Sequence, residues 1–185
     1  MMTILRLHRD RHCRGKFAHL MAALAVLLLF CGCEPDQRKS SLKIGDMAPD
    51  FTATDMRGEK IALHDWRGQP VLLRFWSTDC AYCRADTPVF SEYFNKYKDR
   101  GLRVVYLNNG ATREEVAGFV RDLAIPFPVV MDKDGAVAAL YRVKIVPQTI
   151  VIDPDQKITA AVPGGVDQAE LQKLLEKYFV KGGTR

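Results

Sequence analysis

Short apolar runs alternate with amphipathic stretches along residues 44–180, and this alternation predicts an α/β domain built around a central sheet. Each apolar run is about the length of one strand and is bounded by turn-forming residues. The predicted strands are 71–76, 102–107, 127–130, 149–152 and 157–161.

Three amphipathic helices are predicted between these strands. The first has an apolar face with helical spacing, formed by Phe90, Tyr93, Phe94 and Tyr97. The second and third begin at capping boxes, Thr112 with Glu115 and Asp167 with Glu170. The helices therefore alternate with strands, as expected for one α/β domain.

The first 33 residues are predicted to be a targeting segment. Basic residues precede an apolar stretch at 20–30, which is shorter than the roughly 20 residues of a membrane span and is typical of a signal peptide. Gly32 followed by Cys33 is similar to a bacterial lipoprotein processing site, so Cys33 is the predicted lipidation site. An uncleaved signal anchor and ordinary cleavage are alternatives, and each delivers the domain across the membrane. Residues 34–43 are then a tether, 44–180 the domain and 181–185 a disordered tail.

The positive charge of the chain is concentrated in this targeting segment. Five basic residues and one acid give residues 1–33 a formal charge of +4, out of +5 for the whole chain. The net positive charge of the chain therefore indicates targeting, and no nucleic-acid partner is expected.

Cys80 and Cys83 lie where the first strand gives way to the first helix. A cysteine at a helix N-terminus is near unpaired backbone N–H groups, which favour the thiolate that attacks disulfides. The second thiol is close enough to resolve a mixed disulfide formed by the first. A structural zinc site is the alternative, but it needs four ligands. No histidine follows His64, and the other cysteines all lie in the targeting segment, so no metal is expected.

The stretch from Trp76 to Arg84 resembles the redox motif of the TlpA/ResA-like branch of exported thioredoxin-fold oxidoreductases. The resemblance covers roughly residues 44–179 and includes the opening at 45–51, Pro88 and the stretch 146–149. It implies a thioredoxin fold, with a central mixed sheet flanked by helices, an N-terminal β extension, and an inserted helix between 108 and 124.

The resemblance also implies roles for residues around the cysteines. Pro147 is expected to be a cis-proline that faces them and exposes the backbone of Val146 to a substrate segment. Ala81 and Tyr82, between the cysteines, and Trp76, before them, are expected to support or contact the substrate. Apart from the resemblance, Phe75 is expected to be a core residue because it is an aromatic residue in a strand, and His64 is expected to be a surface or loop residue.

Two acids and one arginine near the motif have alternative interpretations. Asp86, where the family commonly has glutamate, either exchanges a proton with Cys83 or is a first-turn acid favoured by the helix dipole. Asp79 either places a negative charge beside Cys80 or caps the helix. Arg74 either pairs with Asp86 or extends to the surface.

These features predict an extracytoplasmic, membrane-anchored thiol:disulfide oxidoreductase in which Cys80 attacks and Cys83 resolves. The resemblance implies that it reduces selected protein disulfides with electrons from a membrane partner, and apocytochrome c maturation is one such role. No cofactor is expected, and a monomer is predicted.

Two alternative functions belong to related folds. A peroxiredoxin normally has proline and threonine ahead of its reactive cysteine, but Thr78 is too close to Cys80 and no proline lies between Pro70 and Cys80. A Sco-type copper protein uses a wider cysteine pair and a downstream histidine, and this chain has neither.

Overall fold

The computed structural model describes residues 42–179. The predicted targeting segment, the lipidation site Cys33, most of the predicted tether and the predicted tail lie outside the described residues. Within 42–179, no helix is both long and apolar enough to cross a bilayer.

A short antiparallel hairpin precedes the main sheet and corresponds to the expected N-terminal β extension. It consists of β1 (Thr52–Thr54) and β2 (Lys60–Ala62). A 3-10 turn at Leu63–Trp66 leads from it into the central strand.

The main sheet has five strands: β3 (Val71–Trp76), β4 (Arg103–Asn108), β5 (Val129–Met131), β6 (Gln148–Ile152) and β7 (Ile158–Pro163). Their spatial order is β5-β4-β3-β6-β7. The central strand β3 pairs in parallel with β4 and antiparallel with β6, so the predicted mixed sheet is confirmed.

Within residues 42–179, four helices pack around this sheet: α1 (Ala81–Tyr97), α2 (Arg113–Asp122), α3 (Ala136–Leu140) and α4 (Gln168–Phe179). A 3-10 turn at Lys98–Arg100 follows α1. The inserted helix is α2, and its predicted capping box is present. At α4, the side chain of Asp167 accepts a hydrogen bond from the backbone N–H of Glu170 at 2.8 Å, as its predicted capping role requires.

The predicted strand bounds are close to the observed ones, with differences of two residues at the end of β7 and at the start of β5. Strand β5 begins at Val129 instead of residue 127, because Pro128 has no N–H to donate to a ladder. The sequence reasoning also missed α3, a five-residue helix. Its second and third N–H groups, of Val137 and Ala138, donate to the carboxylate of Asp132 at 3.0 Å and 2.8 Å.

Side chains alternate between the two faces of β3, and both faces are buried. Leu72 and Trp76 pack in the cluster that also contains Phe90 of α1. Leu73 and Phe75 pack in the opposite cluster, beneath the hairpin and α3. Arg74 has the same alternation as Leu72 and Trp76, so this arginine is directed towards the α1 side of the core.

Candidate active site

The two motif cysteines form a disulfide at the start of α1. Cys80 is the N-cap residue of the helix, and its sulfur accepts a hydrogen bond from the backbone N–H of Cys83 at 3.1 Å. Cys80 is half-buried, whereas Cys83 is fully buried. Of the two cysteines at the helix N-terminus, Cys80 is thus partly accessible to solvent, whereas Cys83 is shielded.

Asp86, three residues after Cys83 on α1, forms a buried ion pair with Arg74 of β3. Asp86 Oδ2 accepts hydrogen bonds from a guanidinium nitrogen of Arg74 and from the backbone N–H of Val166 at 3.0 Å. The other guanidinium terminus donates to Thr149 Oγ1 at 2.7 Å and to the carbonyl of Gly164 at 3.0 Å. The arginine therefore ties together β3, α1, β6 and the loop before α4.

The pairing of Arg74 with Asp86 is one of the two predicted alternatives, and it is the one that the structure shows. Arg74 is completely buried, so the alternative in which it extends to the surface is wrong. The interpretation of Asp86 as a first-turn acid is also wrong, because α1 begins at Ala81 and its first turn contains no acidic residue.

Burial dominates the electrostatics of this pair. Desolvation raises the pKa of Asp86 above its ordinary value, although Arg74 and the N–H of Val166 both act in the opposite direction. Asp86 Oδ1 is buried and has no hydrogen-bond partner among the described residues. The carboxyl group therefore combines an increased proton affinity with one oxygen that is free to take a proton.

Asp79 lies on the outer side of the disulfide and is exposed. The alternative in which Asp79 caps α1 is wrong, because Cys80 occupies that position. A hydrogen bond from the side chain of Ser77 lowers the pKa of Asp79, so this carboxylate is ionised at neutral pH. A negative charge therefore stands next to Cys80 in the sequence, as the other alternative predicted.

The Val146–Pro147 peptide bond is cis, as expected from the resemblance. The next residue, Gln148, pairs with Phe75, so this dipeptide lies at the end of β3 from which the chain continues to Cys80. Val146 is 42% exposed, and the carbonyl of Pro147 accepts a hydrogen bond from the N–H of Gly164 at 2.7 Å.

The aromatic residues of the motif occupy both the core and the surface. Trp76 is buried, and its ring lies 4.2 Å from that of Phe119; its indole N–H has no partner within residues 42–179. Phe75 is buried, as predicted for a core residue. His64 is half exposed and pairs with the carboxylate of Asp50 at 2.9 Å, as expected for a surface residue.

Tyr82 lies between the cysteines and is 70% exposed. It lines a groove of about 420 Å³ with Asp86, Val89 and Val166. Gly165 forms part of this groove, and a Cβ atom at Gly165 would lie 3.4 Å from the ring of Tyr82. The buried residue Asp86 thus borders an open groove that Tyr82, the residue between the cysteines, also lines.

Sequence reasoning missed several buried residues that contact Cys83 or the Arg74–Asp86 ion pair. Thr87 donates a hydrogen bond to the carbonyl of Cys83 at 2.6 Å, and its hydroxyl is 3.2 Å from that of Tyr106. Val166 and Gly164 contact the ion pair through their backbone atoms. The signal for Thr87 was its position four residues after Cys83, one helical turn away; the backbone contacts from the loop have no signature in the side-chain pattern.

Comparisons with known proteins cover the region that contains these features. A model of the AhpC/TSA family matches residues 44–161. The thiol-disulfide oxidoreductase ResA of Bacillus thuringiensis is 32% identical over 165 residues, which cover 85% of this chain and 95% of that protein.

Solved structures of thiol-disulfide oxidoreductases are also similar to this chain. A thiol:disulfide interchange protein described as DsbE, from Chlorobium tepidum, matches with a TM-score of 0.69 and 31% identity, covering 75% of this chain and 99% of that one. A secreted disulfide oxidoreductase of Mycobacterium tuberculosis, described as homologous to E. coli DsbE, matches with a TM-score of 0.63 and 25% identity, covering 69% and 95%.

Proposed function

Because the chain belongs to the AhpC/TSA family and is a ResA-like thiol-disulfide oxidoreductase with a thioredoxin fold, we propose that it reduces selected protein disulfides outside the cytoplasm. Cys80 is the attacking residue and Cys83 the resolving residue. The observation that supports this assignment is their difference in exposure, since Cys80 is half-buried at the helix N-cap and Cys83 is fully buried.

The reaction begins with the reduced protein. The Cys80 thiolate attacks one sulfur of the client disulfide, a mixed disulfide forms, and the other client sulfur leaves as a thiolate. The Cys83 thiol then loses its proton and attacks the Cys80 sulfur, which releases the second client thiolate and forms the Cys80–Cys83 disulfide. Two electrons pass from the protein to the client, and a membrane-bound dithiol donor restores the reduced state.

Asp86 takes the proton of Cys83 during this second attack. The two residues are three positions apart on α1, and Oδ1 of the carboxyl group has no other partner among the described residues. Burial keeps the pKa of Asp86 above its ordinary value, so the carboxylate is a stronger base than an exposed aspartate. Arg74 holds the other oxygen and thereby fixes the position of the carboxyl group.

The segment around the cysteines contacts the client. Ala81 and Tyr82 are exposed between the two sulfurs, and Val146 offers its backbone for strand-like pairing beside the cis-proline. Trp76 supports this surface from below by packing on Phe119.

The protein acts at a membrane on its extracytoplasmic side. The basic and apolar pattern of residues 1–33 supports export, Gly32 and Cys33 support a lipid anchor, and the Mycobacterium tuberculosis relative is described as secreted. Apocytochrome c is the class of client that the resemblance to TlpA/ResA-like proteins favours.

Trapping of the mixed disulfide tests the assignment of the two cysteines. Full-length Cys83→Ser, expressed in bacteria that export it, is expected to accumulate covalent complexes that a reductant dissolves, because Cys80 still attacks and nothing resolves the product. Cys80→Ser is expected to form no complexes and to lose all disulfide-exchange turnover. The assignment is wrong if Cys80→Ser forms the complexes, or if both variants keep full activity; mass spectrometry of the trapped protein identifies the client.

A further inference from the structure

The buried arginine Arg74 is connected, through one intervening residue, to the segment that offers its backbone to the client. A terminal guanidinium nitrogen of Arg74 donates to the carbonyl of Gly164 at 3.0 Å. The N–H of the same glycine donates to the carbonyl of Pro147 at 2.7 Å. Gly164 is therefore a bridge between a buried side chain and the residue that follows Val146.

A second contact fixes the arginine next to the same segment. The guanidinium nitrogen that reaches Gly164 also donates to Thr149 Oγ1 at 2.7 Å, and Thr149 lies at the start of β6. Thr149 is fully buried, so water does not compete for this hydrogen bond. Arg74 thus holds β6 directly at Thr149, and it holds Pro147, which precedes this strand, through Gly164.

The backbone of Gly164 has a conformation that favours glycine. Its φ is +90°, a left-handed value that L side chains rarely adopt, and no atom of the described residues lies within 4 Å of the position of an added Cβ. The glycine is therefore required by the backbone conformation and not by crowding. In this conformation the N–H reaches Pro147 while the carbonyl accepts from Arg74.

Stability alone does not require an arginine at this position of β3. The side chains of Leu72 and Trp76, on the same face of the strand, are apolar, and replacement of a buried ion pair by apolar residues is often neutral or stabilising. A guanidinium group differs from an apolar side chain because its donors form a rigid, planar fork. One end of this fork in Arg74 binds Asp86, and the other binds Gly164. The fork therefore holds two partners at a fixed spacing.

We propose that Arg74 is a positioning residue for client binding, because through Gly164 it holds the Val146–Pro147 segment in the place where a client backbone pairs with it. The arginine thereby fixes the client-binding segment and the proton acceptor Asp86 relative to each other. This inference rests on the proposed pairing of a client with this segment during attack by Cys80.

The test measures only the attack step, in full-length Cys83→Ser, so that proton transfer from Cys83 to Asp86 does not enter the rate. The Cys80 thiolate attacks a symmetric disulfide, one half of which forms the mixed disulfide while the other half leaves as a thiolate. One probe is the disulfide dimer of a peptide with alanine on both sides of its cysteine. The other probe is hydroxyethyl disulfide, which has no peptide backbone.

The readout is the rate constant for the peptide divided by that for hydroxyethyl disulfide, each followed by mass spectrometry of quenched samples. A smaller folded fraction, or a change in the reactivity of Cys80, would lower both rate constants by the same factor. The ratio is therefore insensitive to a merely structural role of Arg74, and it reports the contact with the peptide backbone.

Gly164→Ala breaks the bridge without removing a charged group. Alanine does not readily adopt the left-handed conformation, so the backbone turns and the hydrogen bond to Pro147 is lost. The ratio is expected to fall about tenfold, the factor that corresponds to roughly one hydrogen bond. Arg74→Lys is expected to lower the ratio as well, because a single ammonium group does not reproduce the guanidinium fork.

Gly58→Ala is the matched control for backbone strain. Gly58 has a φ of +89°, and no atom of the described residues lies within 4 Å of an added Cβ, as at Gly164. Gly58 lies in the turn between β1 and β2, where its N–H donates to the carbonyl of Asp55 at 3.1 Å and not to Pro147. This variant is expected to keep the ratio of the parent protein.

An unchanged ratio in Gly164→Ala, or an equal fall in Gly58→Ala, would overturn the inference. An unchanged ratio in folded Arg74→Lys would also overturn it, because the bridge would then not depend on the arginine. If Arg74→Lys does not fold, Thr149→Val takes its place under the same criterion, since it removes an acceptor of the same guanidinium nitrogen.

Failure of the proposed function gives a different result from failure of this inference. If the parent Cys83→Ser forms no adduct with either disulfide, the proposed attack by Cys80 is wrong, and the inference falls with it. If the parent reacts with both disulfides and the ratio does not respond to Gly164→Ala, the attack stands and only the positioning role of Arg74 is wrong.

Discussion

The outer and inner sides of the Cys80–Cys83 disulfide differ in exposure and in charge. On the outer side, Asp79 is exposed and ionised, and its charge is screened by water. On the inner side, Asp86 is buried, paired with Arg74, and has a raised pKa. The two acids lie close to the cysteines in sequence, yet the inner one is expected to influence both folding and chemistry far more strongly than the outer one.

Removal of the inner carboxyl group is the strongest way to test this difference. Asp86→Ala leaves Arg74 and the N–H of Val166 without their acceptor, and loss of one partner of a buried ion pair typically costs about 3–5 kcal/mol of unfolding free energy. Urea unfolding of the reduced protein measures this loss.

Asp122→Ala is the matched control for that experiment. Asp122 lies 3.9 Å from Arg84, and both side chains are about half exposed, so loss of this pair is expected to cost at most about 1 kcal/mol. Equal losses in the two variants would show that the buried pair has no special role in stability.

The conservative variant Asp86→Asn separates the structural role of this residue from its chemical role. The amide oxygen still accepts hydrogen bonds, but the buried charge of Arg74 loses its counter-charge, so the stability loss is expected to be smaller than in Asp86→Ala without vanishing. Resolution of the mixed disulfide near neutral pH is expected to slow by about 100-fold, the lower range for loss of a general base. Stopped-flow measurement of resolution follows the rate. An unchanged rate and pH dependence would remove Asp86 from the mechanism.

The pH dependence of stability gives a further readout of Asp86. Because burial raises the pKa of Asp86 in the folded state, the folded protein binds this proton more tightly than the unfolded chain. The stability that this tighter proton binding adds is therefore complete below the unfolded pKa and is lost as the pH rises through the folded pKa. Asp86→Asn is expected to lack this loss.

The outer acid is expected to have a smaller effect. Asp79→Asn removes a negative charge beside Cys80, so the Cys80 thiolate forms more readily and the pH midpoint of its alkylation falls by about a few tenths of a unit, as expected for a charge screened by water. Ser77→Ala, which removes the hydrogen bond to Asp79 but keeps the charge, is the control. A shift in the opposite direction would contradict the proposed influence of Asp79.

The difference between the two sides also explains what the sequence could predict. The α/β class, the cysteine pair and the helix start follow from local patterns, and the cis-proline from a resemblance. The sequence alone could not decide whether Arg74 pairs with Asp86 or extends to the surface, because the answer depends on which face of β3 packs against α1. The backbone donor from Val166 depends on where the loop before α4 packs in three dimensions, which no periodicity encodes.

The proposed mechanism requires a reactive Cys80 and a shielded Cys83, and differential alkylation of the reduced, folded protein is the sharpest test of this difference. Mass mapping after brief exposure to a limiting alkylating agent is expected to find the label on Cys80 at least about ten times more often than on Cys83, since Cys80 is half-buried at the N-cap and Cys83 is fully buried. In denaturant, the two residues are expected to react equally. Preferential labelling of Cys83, or two inert thiols between about pH 6 and pH 9, would contradict the account.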